Sequence, residues 1–139
     1  MNSDCSNEEV IRGIVQSQMD AWCSGDAEGY AANAGDDLSF TNIRGQHWTG
    51  RTAFVKVHDS VLRGVYAGSR LEAEVERISF PGTGVAVAEM LTRLSDAPGM
   101  PAKIAPDADG VLRTRLLEVF ESRDGIWTLV TCHNTAVIA

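Results

Sequence analysis

The stretch from Val111 to Ala139 constrains this chain more than any other. It reads as two strands, Leu112–Glu121 and Ile126–Val137, joined at Arg123-Asp124-Gly125. Asp-Gly is a strong hairpin signal, because a type I′ turn needs positive φ at both central residues. Pairing outward from that two-residue turn sets Glu118 opposite Thr131 and Leu116 opposite His133. One face then carries Thr114, Leu116, Glu118, Phe120, Trp127, Leu129, Thr131 and His133. The other carries Arg115, Leu117, Val119, Val130, Cys132 and Asn134. Both faces are apolar in the middle, so both are expected to be covered. On the first, a carboxylate and an imidazole sit in an otherwise oily row, which marks them as candidate functional groups.

The rest of the chain supplies what would cover that hairpin. Ser6-Asn7-Glu8-Glu9 has the pattern of a capping box, opening a helix that runs to about Ser24 before Gly25. Its apolar residues Val10, Ile11, Ile14, Val15, Met19 and Trp22 recur at helical spacing, with Gln18 inside the stripe. Asp26 caps a short second helix through Tyr30 to Ala34, closed by Gly35. Leu38–Asn42 alternates as a strand, Arg44-Gly45 turns, and Gln46-His47-Trp48 returns. Thr49 caps a third helix, Gly50 to about Val65, whose apolar stripe of Phe54, Val57, Val61, Leu62 and Val65 contains His58. Ser69–Phe80 and Val85–Ser95 are strands, the first with a solvated glutamate row, the second apolar enough to be covered on both sides. Ser95–Gly110, rich in proline and aspartate, is either a lid over an opening or a plain connection.

Helices first and a strand meander after them predict an α+β domain, its antiparallel sheet curled over three N-terminal-half helices. At 139 residues, with no internal repeat and no second core, residues 1–139 form a single domain. A net charge of −7, spread along the chain, argues against a nucleic-acid partner and against an anionic membrane surface. Cys5, Cys23 and Cys132 form no C-x-x-C pair and read as incidental thiols in a reducing cytoplasm. The N-terminus lacks the basic and apolar regions of a signal peptide, and no apolar run reaches the length of a membrane span. The expected location is cytoplasmic.

Several residues carry a resemblance over nearly the whole chain. Trp22-x-x-Gly25-Asp26 leads to Tyr30, and Asp36-Asp37 precedes a strand. Gly45-x-x-Trp48-Thr49-Gly50-Arg51 precedes the third helix, and Arg123-Asp124-Gly125-x-Trp127 sits in the last hairpin. Together they resemble the nuclear transport factor 2-like fold, the cone-shaped barrel shared with ketosteroid isomerases and SnoaL-type polyketide cyclases. The run Gly-Asp-Ala-Glu-Gly-Tyr, the His58 helix, Gly68-Ser69-Arg70-Leu71 and Asn134-Thr135 look like the SgcJ/EcaC group, found with enediyne-type polyketide biosynthesis genes. By this resemblance the isomerases' general-base aspartate falls on Asn42, their oxyanion tyrosine on Gln18 and their second oxyanion acid on Glu118. An amide cannot abstract a proton, so isomerase chemistry of that kind is disfavoured.

The resemblance implies a conical, apolar cavity with a few polar points, the usual form of a small-molecule site. Its expected lining is Gln18, Met19, Trp22, Tyr30, Phe40, Asn42, Trp48, Leu62, Leu116 and Phe120, with Glu118, His133 and His58 as candidate acid–base residues. Three readings follow. The first is a cofactorless pocket protein of bacterial secondary metabolism, holding a hydrophobic polyketide or polyene intermediate, with a polyketide synthase as a candidate partner. The second is an acid–base cyclase or isomerase using Glu118 and a histidine. The third is a non-catalytic assembly module. The apolar outer face of the hairpin predicts a homodimer in any of the three. No metal site is expected, since His47, His58 and His133 lie on separate elements without ligand spacing. Without a G-x-G-x-x-G after a strand or a Walker A loop, no nucleotide cofactor is expected either.

Overall fold

In a computed structural model, described here for residues 3–97 and 110–137, the elements run in the order α1 (Ser3–Cys23), α2 (Ala27–Tyr30), β1 (Ala34–Thr41), β2 (His47–Thr49), α3 (Arg51–Arg63), β3 (Arg70–Gly82), β4 (Val85–Ser95), β5 (Leu112–Arg123) and β6 (Ile126–Ala136). The fold is α+β, as the element order predicts. One six-stranded sheet has the order β2-β1-β6-β5-β4-β3, so the C-terminal strand lies in the middle. Its pairs are antiparallel except β1 with β6, which run parallel, a mixed character that the strand meander did not suggest.

The helical stripes are buried largely where periodicity places them. Ile11, Ile14, Val15, Gln18, Met19 and Trp22 of α1 face the sheet, as do Phe54, His58 and Leu62 of α3, one turn apart. Val10 is the exception: it is 48% exposed, on the solvent edge of the stripe. Some boundaries differ from expectation. The first helix starts at Ser3, so Ser6 lies inside it and the capping box is not used as a cap. The second is a single turn, capped by Asp26 onto the Gly29 amide, and Gly35 belongs to β1 rather than to a helix end. Gly50, not Thr49, is the N-cap of α3, at φ 93°. The possible lid over Ser95–Gly110 falls mainly on residues 98–109, outside the described residues. Among the described residues no helix is long and apolar enough to cross a membrane.

The terminal hairpin carries the largest correction. Asp124 and Gly125 have φ of 51° and 78°, the left-handed pair that a type I′ turn requires. From Arg123↔Ile126 to Phe120↔Leu129 the register is the one read from the turn. Val130 is then an extra residue, and pairing resumes at Val119↔Thr131. Such a bulge reverses the facing of every later residue on its strand. Glu118 is therefore opposite Cys132 and Leu117 opposite His133. Cys132 is buried, while His133 is exposed on the outer face. The parallel neighbour accounts for this choice. With the bulge, Thr131 and His133 align with Ser39 and Thr41, and the two hydroxyls of Ser39 and Thr131 bond at 2.7 Å. Cys132 aligns with inward-facing Phe40. The bulge thus places a thiol inside where an imidazole and a hydroxyl would be costlier to bury.

Candidate functional site

The concave sheet face and the helices enclose a cavity of about 250 Å³. Helix α3 and the chain just after it line one wall with Val57, His58, Val61, Val65 and Tyr66. The sheet supplies Phe40, Leu94, Leu112, Leu116 and Cys132, and Trp22 and Tyr30 add buried aromatic rings. Thr92 and Thr114, which share a hydrogen bond between their hydroxyls, form a polar point on neighbouring strands. Around the opening lie Asn42, Arg44 and Gln46 from the β1–β2 connection, with Asn134 from β6.

His58 is the chemically most specific group of the lining. It sits among aromatic rings, with centroid distances of 4.3 Å to Phe54, 4.8 Å to Tyr30, 5.1 Å to Phe40 and 6.2 Å to Trp22. Its Nδ1 lies 2.7 Å from the Phe54 carbonyl oxygen, which can only accept, so Nδ1 carries the proton. Burial lowers its pKa from 6.5 to about 4, against a smaller opposing effect of that hydrogen bond. At neutral pH the ring is uncharged, and Nε2 presents a lone pair. Trp22 is fixed in turn by its indole N–H, which donates to Ser69 Oγ at 2.9 Å.

Glu118 is placed differently from the expectation. Its side chain is 1% exposed and lies beneath the cavity lining, on a strand face beside Ala88 and Cys132, rather than against the cavity itself. Burial raises its pKa from 4.5 to about 8, and a hydrogen bond from Gln18 offsets this only in part. Glu118 Oε1 and Gln18 Oε1 are both buried without a partner, so little supports a charged carboxylate. Burial likewise raises the Tyr30 and Cys132 pKa values, with the Glu118 charge adding to each. The buried acid, phenol and thiol are therefore mutually sensitive to charge.

The candidate residues thus divide. Trp22, Tyr30, Phe40, Asn42, His58 and Leu116 line the cavity. Gln18, Met19, Leu62, Glu118 and Phe120 are buried in the core around it and do not line it. Trp48 stacks on Phe40 at 5.8 Å, outside the cavity. His133 faces away, so the expected Glu118/His133 pair does not form. Cys132 and Asn134 were hidden from sequence reasoning by the bulge, and Arg44 and Tyr66 by lying in a turn and beyond a helix end. Among the described residues, no three His, Cys, Asp or Glu side chains are grouped to hold a metal ion.

Comparison with known proteins agrees with this architecture. A family model described as a SnoaL-like domain matches residues 11–139. No curated protein matches the chain. Among solved structures, a domain of unknown function with a cystatin-like fold from Nostoc punctiforme PCC 73102 is 25% identical, with a TM-score of 0.82 over 96% of this chain and 79% of that one. An NTF2-like protein of unknown function from Pseudomonas putida KT2440 is 18% identical, with a TM-score of 0.75 over 97% and 89%. A putative scytalone dehydratase from Novosphingobium aromaticivorans DSM 12444 is 17% identical, with a TM-score of 0.76 over 97% and 87%. The last two likenesses concern the fold alone.

Proposed function

The chain belongs to the SnoaL-like domain family, and on that premise we propose that it is a cytoplasmic, cofactorless binding protein for a compact hydrophobic small molecule. One observation carries the reading: an apolar cavity of about 250 Å³ whose deep polar group, His58, is neutral and offers Nε2 as an acceptor. An apolar cavity of roughly 150 Å³ holds one benzene ring. The size therefore favours a body of one or two rings over an extended polyene. The resemblance to the SgcJ/EcaC group supports a polyketide-type intermediate of bacterial secondary metabolism as the occupant, passed to or from a synthase. Mass spectrometry of the small molecules released when the purified protein is denatured tests this. A stoichiometric ring compound is the expected result, and failure to retain or bind any ring compound would overturn it.

A second reading, acid–base turnover, is favoured by the anchored His58 Nδ1–H, which fixes Nε2 as the group available to take a proton. A dehydration of the kind named for the Novosphingobium protein would need such a group. The low His58 pKa makes it a weak base, and Glu118 sits too deep to touch a ligand without rearrangement. Binding without turnover is therefore the first reading. His58→Gln separates the two: loss of product formation with retained binding would favour the enzyme.

The outer sheet face supports the further proposal of a homodimer. Leu117 is 38% exposed there beside half-buried Val119, although Cys132, expected on that face, is inside.

A further inference from the structure

Charge is distributed unevenly between the cavity and the rest of this chain. Nineteen acidic residues give the protein a net charge of −7, yet among the described residues no Asp or Glu lines the cavity. With His58 neutral, Arg44 is the one charged side chain of the lining among the described residues. Arg12, Arg51, Arg63, Arg70, Arg77, Arg93, Arg115 and Arg123 each have a carboxylate within 4.0 Å. Arg44 has no carboxylate partner among the described residues.

The Arg44 backbone is held firmly. Asn42 Oδ1 accepts from the Arg44 and Gln46 amides at 3.0 and 2.9 Å, and the Asn42 amide donates to the Gln46 carbonyl oxygen at 3.0 Å. The Asn42 side-chain amide also donates to Gln46 Oε1 at 3.1 Å. That bond uses the Gln46 acceptor and leaves its Nε2 as a free donor. Gly45, at φ 76°, completes the turn. Tyr66 stands close enough for the Arg44 charge to favour its phenolate, although burial outweighs this and raises its pKa. A guanidinium, an amide N–H and a phenol therefore border the same opening. All three donate to oxygen, and among the described residues no carboxylate of the lining competes with them.

We propose that the cavity takes an aromatic or alicyclic carboxylic acid, its ring body buried against the apolar walls and its carboxylate held at the opening by Arg44. This rests on reading the cavity as a binding site. A carboxylate suits a single planar guanidinium, which binds it in a two-pronged fashion. A phosphate dianion would call for more cationic or backbone donors than this opening provides. The deep end, with His58 Nε2 as an acceptor, suits a ring hydroxyl or N–H on the far side of the ligand. The ligand would then be a hydroxy-substituted ring acid lying along the cavity axis.

The test compares naphthalene-2-carboxylate with its uncharged isostere naphthalene-2-carboxamide by isothermal titration of the full chain, wild type, Arg44→Met and Arg44→Lys. The Arg44 side chain makes no hydrogen bond with the described residues, so both variants should fold, which thermal melting checks. The expected result is a preference for the acid on the order of tenfold in the wild type. That preference should vanish in Arg44→Met, with carboxamide affinity reduced far less than that of the acid, and persist in part in Arg44→Lys. Equal affinity for acid and amide in the wild type, or a preference surviving in Arg44→Met, would overturn the proposal and leave the cavity reading intact. Failure of both probes to bind the wild type at millimolar concentration would overturn both together.

Discussion

Replacing Glu118 by Gln should reshape the pH dependence of stability in a narrow window. The folded protein keeps a proton on Glu118 up to about pH 8, whereas the unfolded chain releases it near 4.5. Stability from this group is complete at low pH and is lost as the pH rises through 8. His58 acts in the opposite sense. The unfolded chain protonates it near 6.5 and the folded protein only near 4, so its contribution is lost as the pH falls through that range. Between about pH 4.5 and 6.5 the two slopes oppose each other, and the wild type should be nearly level. Above 6.5 only Glu118 still titrates. Over about one and a half pH units at about 1.4 kcal/mol each, the wild type should lose about 2 kcal/mol by pH 8. For a domain of this size that is on the order of 6–10 °C in Tm. Tyr30 and Cys132, both shifted upward, titrate above this window, and Asp37, shifted downward by Arg123, below it. Urea unfolding at constant ionic strength from pH 5 to 9 measures the difference. Glu118→Gln should be level from 6.5 to 8 and lose stability below 6.5, where His58 is left unopposed. Parallel curves for the two proteins above 6.5 would show that Glu118 is ionised in the fold, and would refute the argument from burial.

Thiol reactivity tests the bulge at Val130: native protein should titrate Cys5 and Cys23 rapidly with a disulfide reagent, and Cys132 only on unfolding. Rapid reaction of all three thiols would indicate that Cys132 lies on the outer face and that the bulge is absent. Leu117→Asp on the outer face should shift a dimer to a monomer in sedimentation velocity, with the fold retained. A wild type that is monomeric at micromolar concentration would dismiss the dimer. Asn42→Asp should keep the β1–β2 turn and show no isomerisation of a β,γ-unsaturated ketosteroid; turnover by this variant would refute the assignment of residue 42 to the turn.

Much of the fold was legible because its signals are local. The stripe of Ile11, Ile14, Gln18 and Trp22, the Phe54/His58/Leu62 spacing and the Asp124-Gly125 turn each state a period or a dihedral requirement within a few residues. What failed to show depends on strands distant in sequence. The bulge at Val130 has no Gly or Pro to announce it and is matched to Ser39 and Phe40, more than ninety positions earlier. Every residue beyond it was consequently assigned to the wrong face, which exchanged His133 for Cys132 and Asn134. The cavity boundary was illegible for a related reason. Alternation shows that Glu118 and Phe120 point inward, but not that Gln18 of α1 meets Glu118 or that neither residue reaches the cavity lining.

Asn42 illustrates how a pocket position can exchange one role for another. The resemblance to isomerases puts a general base there, and Asn42 does lie at the cavity. Its Oδ1, however, already accepts two backbone N–H groups. A carboxylate in the same place would be stabilised by both, which depresses basicity, so the surroundings as well as the side chain oppose proton abstraction. The same bonds shape the turn that carries Arg44 to the opening. A chain that uses this position to hold a cation at the cavity mouth has committed it to recognition. Among the described residues, the polar groups deep in the cavity include a neutral imidazole, a phenol and a thiol whose pKa values burial raises, and two mutually bonded hydroxyls, none of them ionised at neutral pH. An interior of that kind orients a ligand through weak, uncharged contacts. It leaves the strong, charge-assisted contact to the opening, where a bound acid can still be released to water.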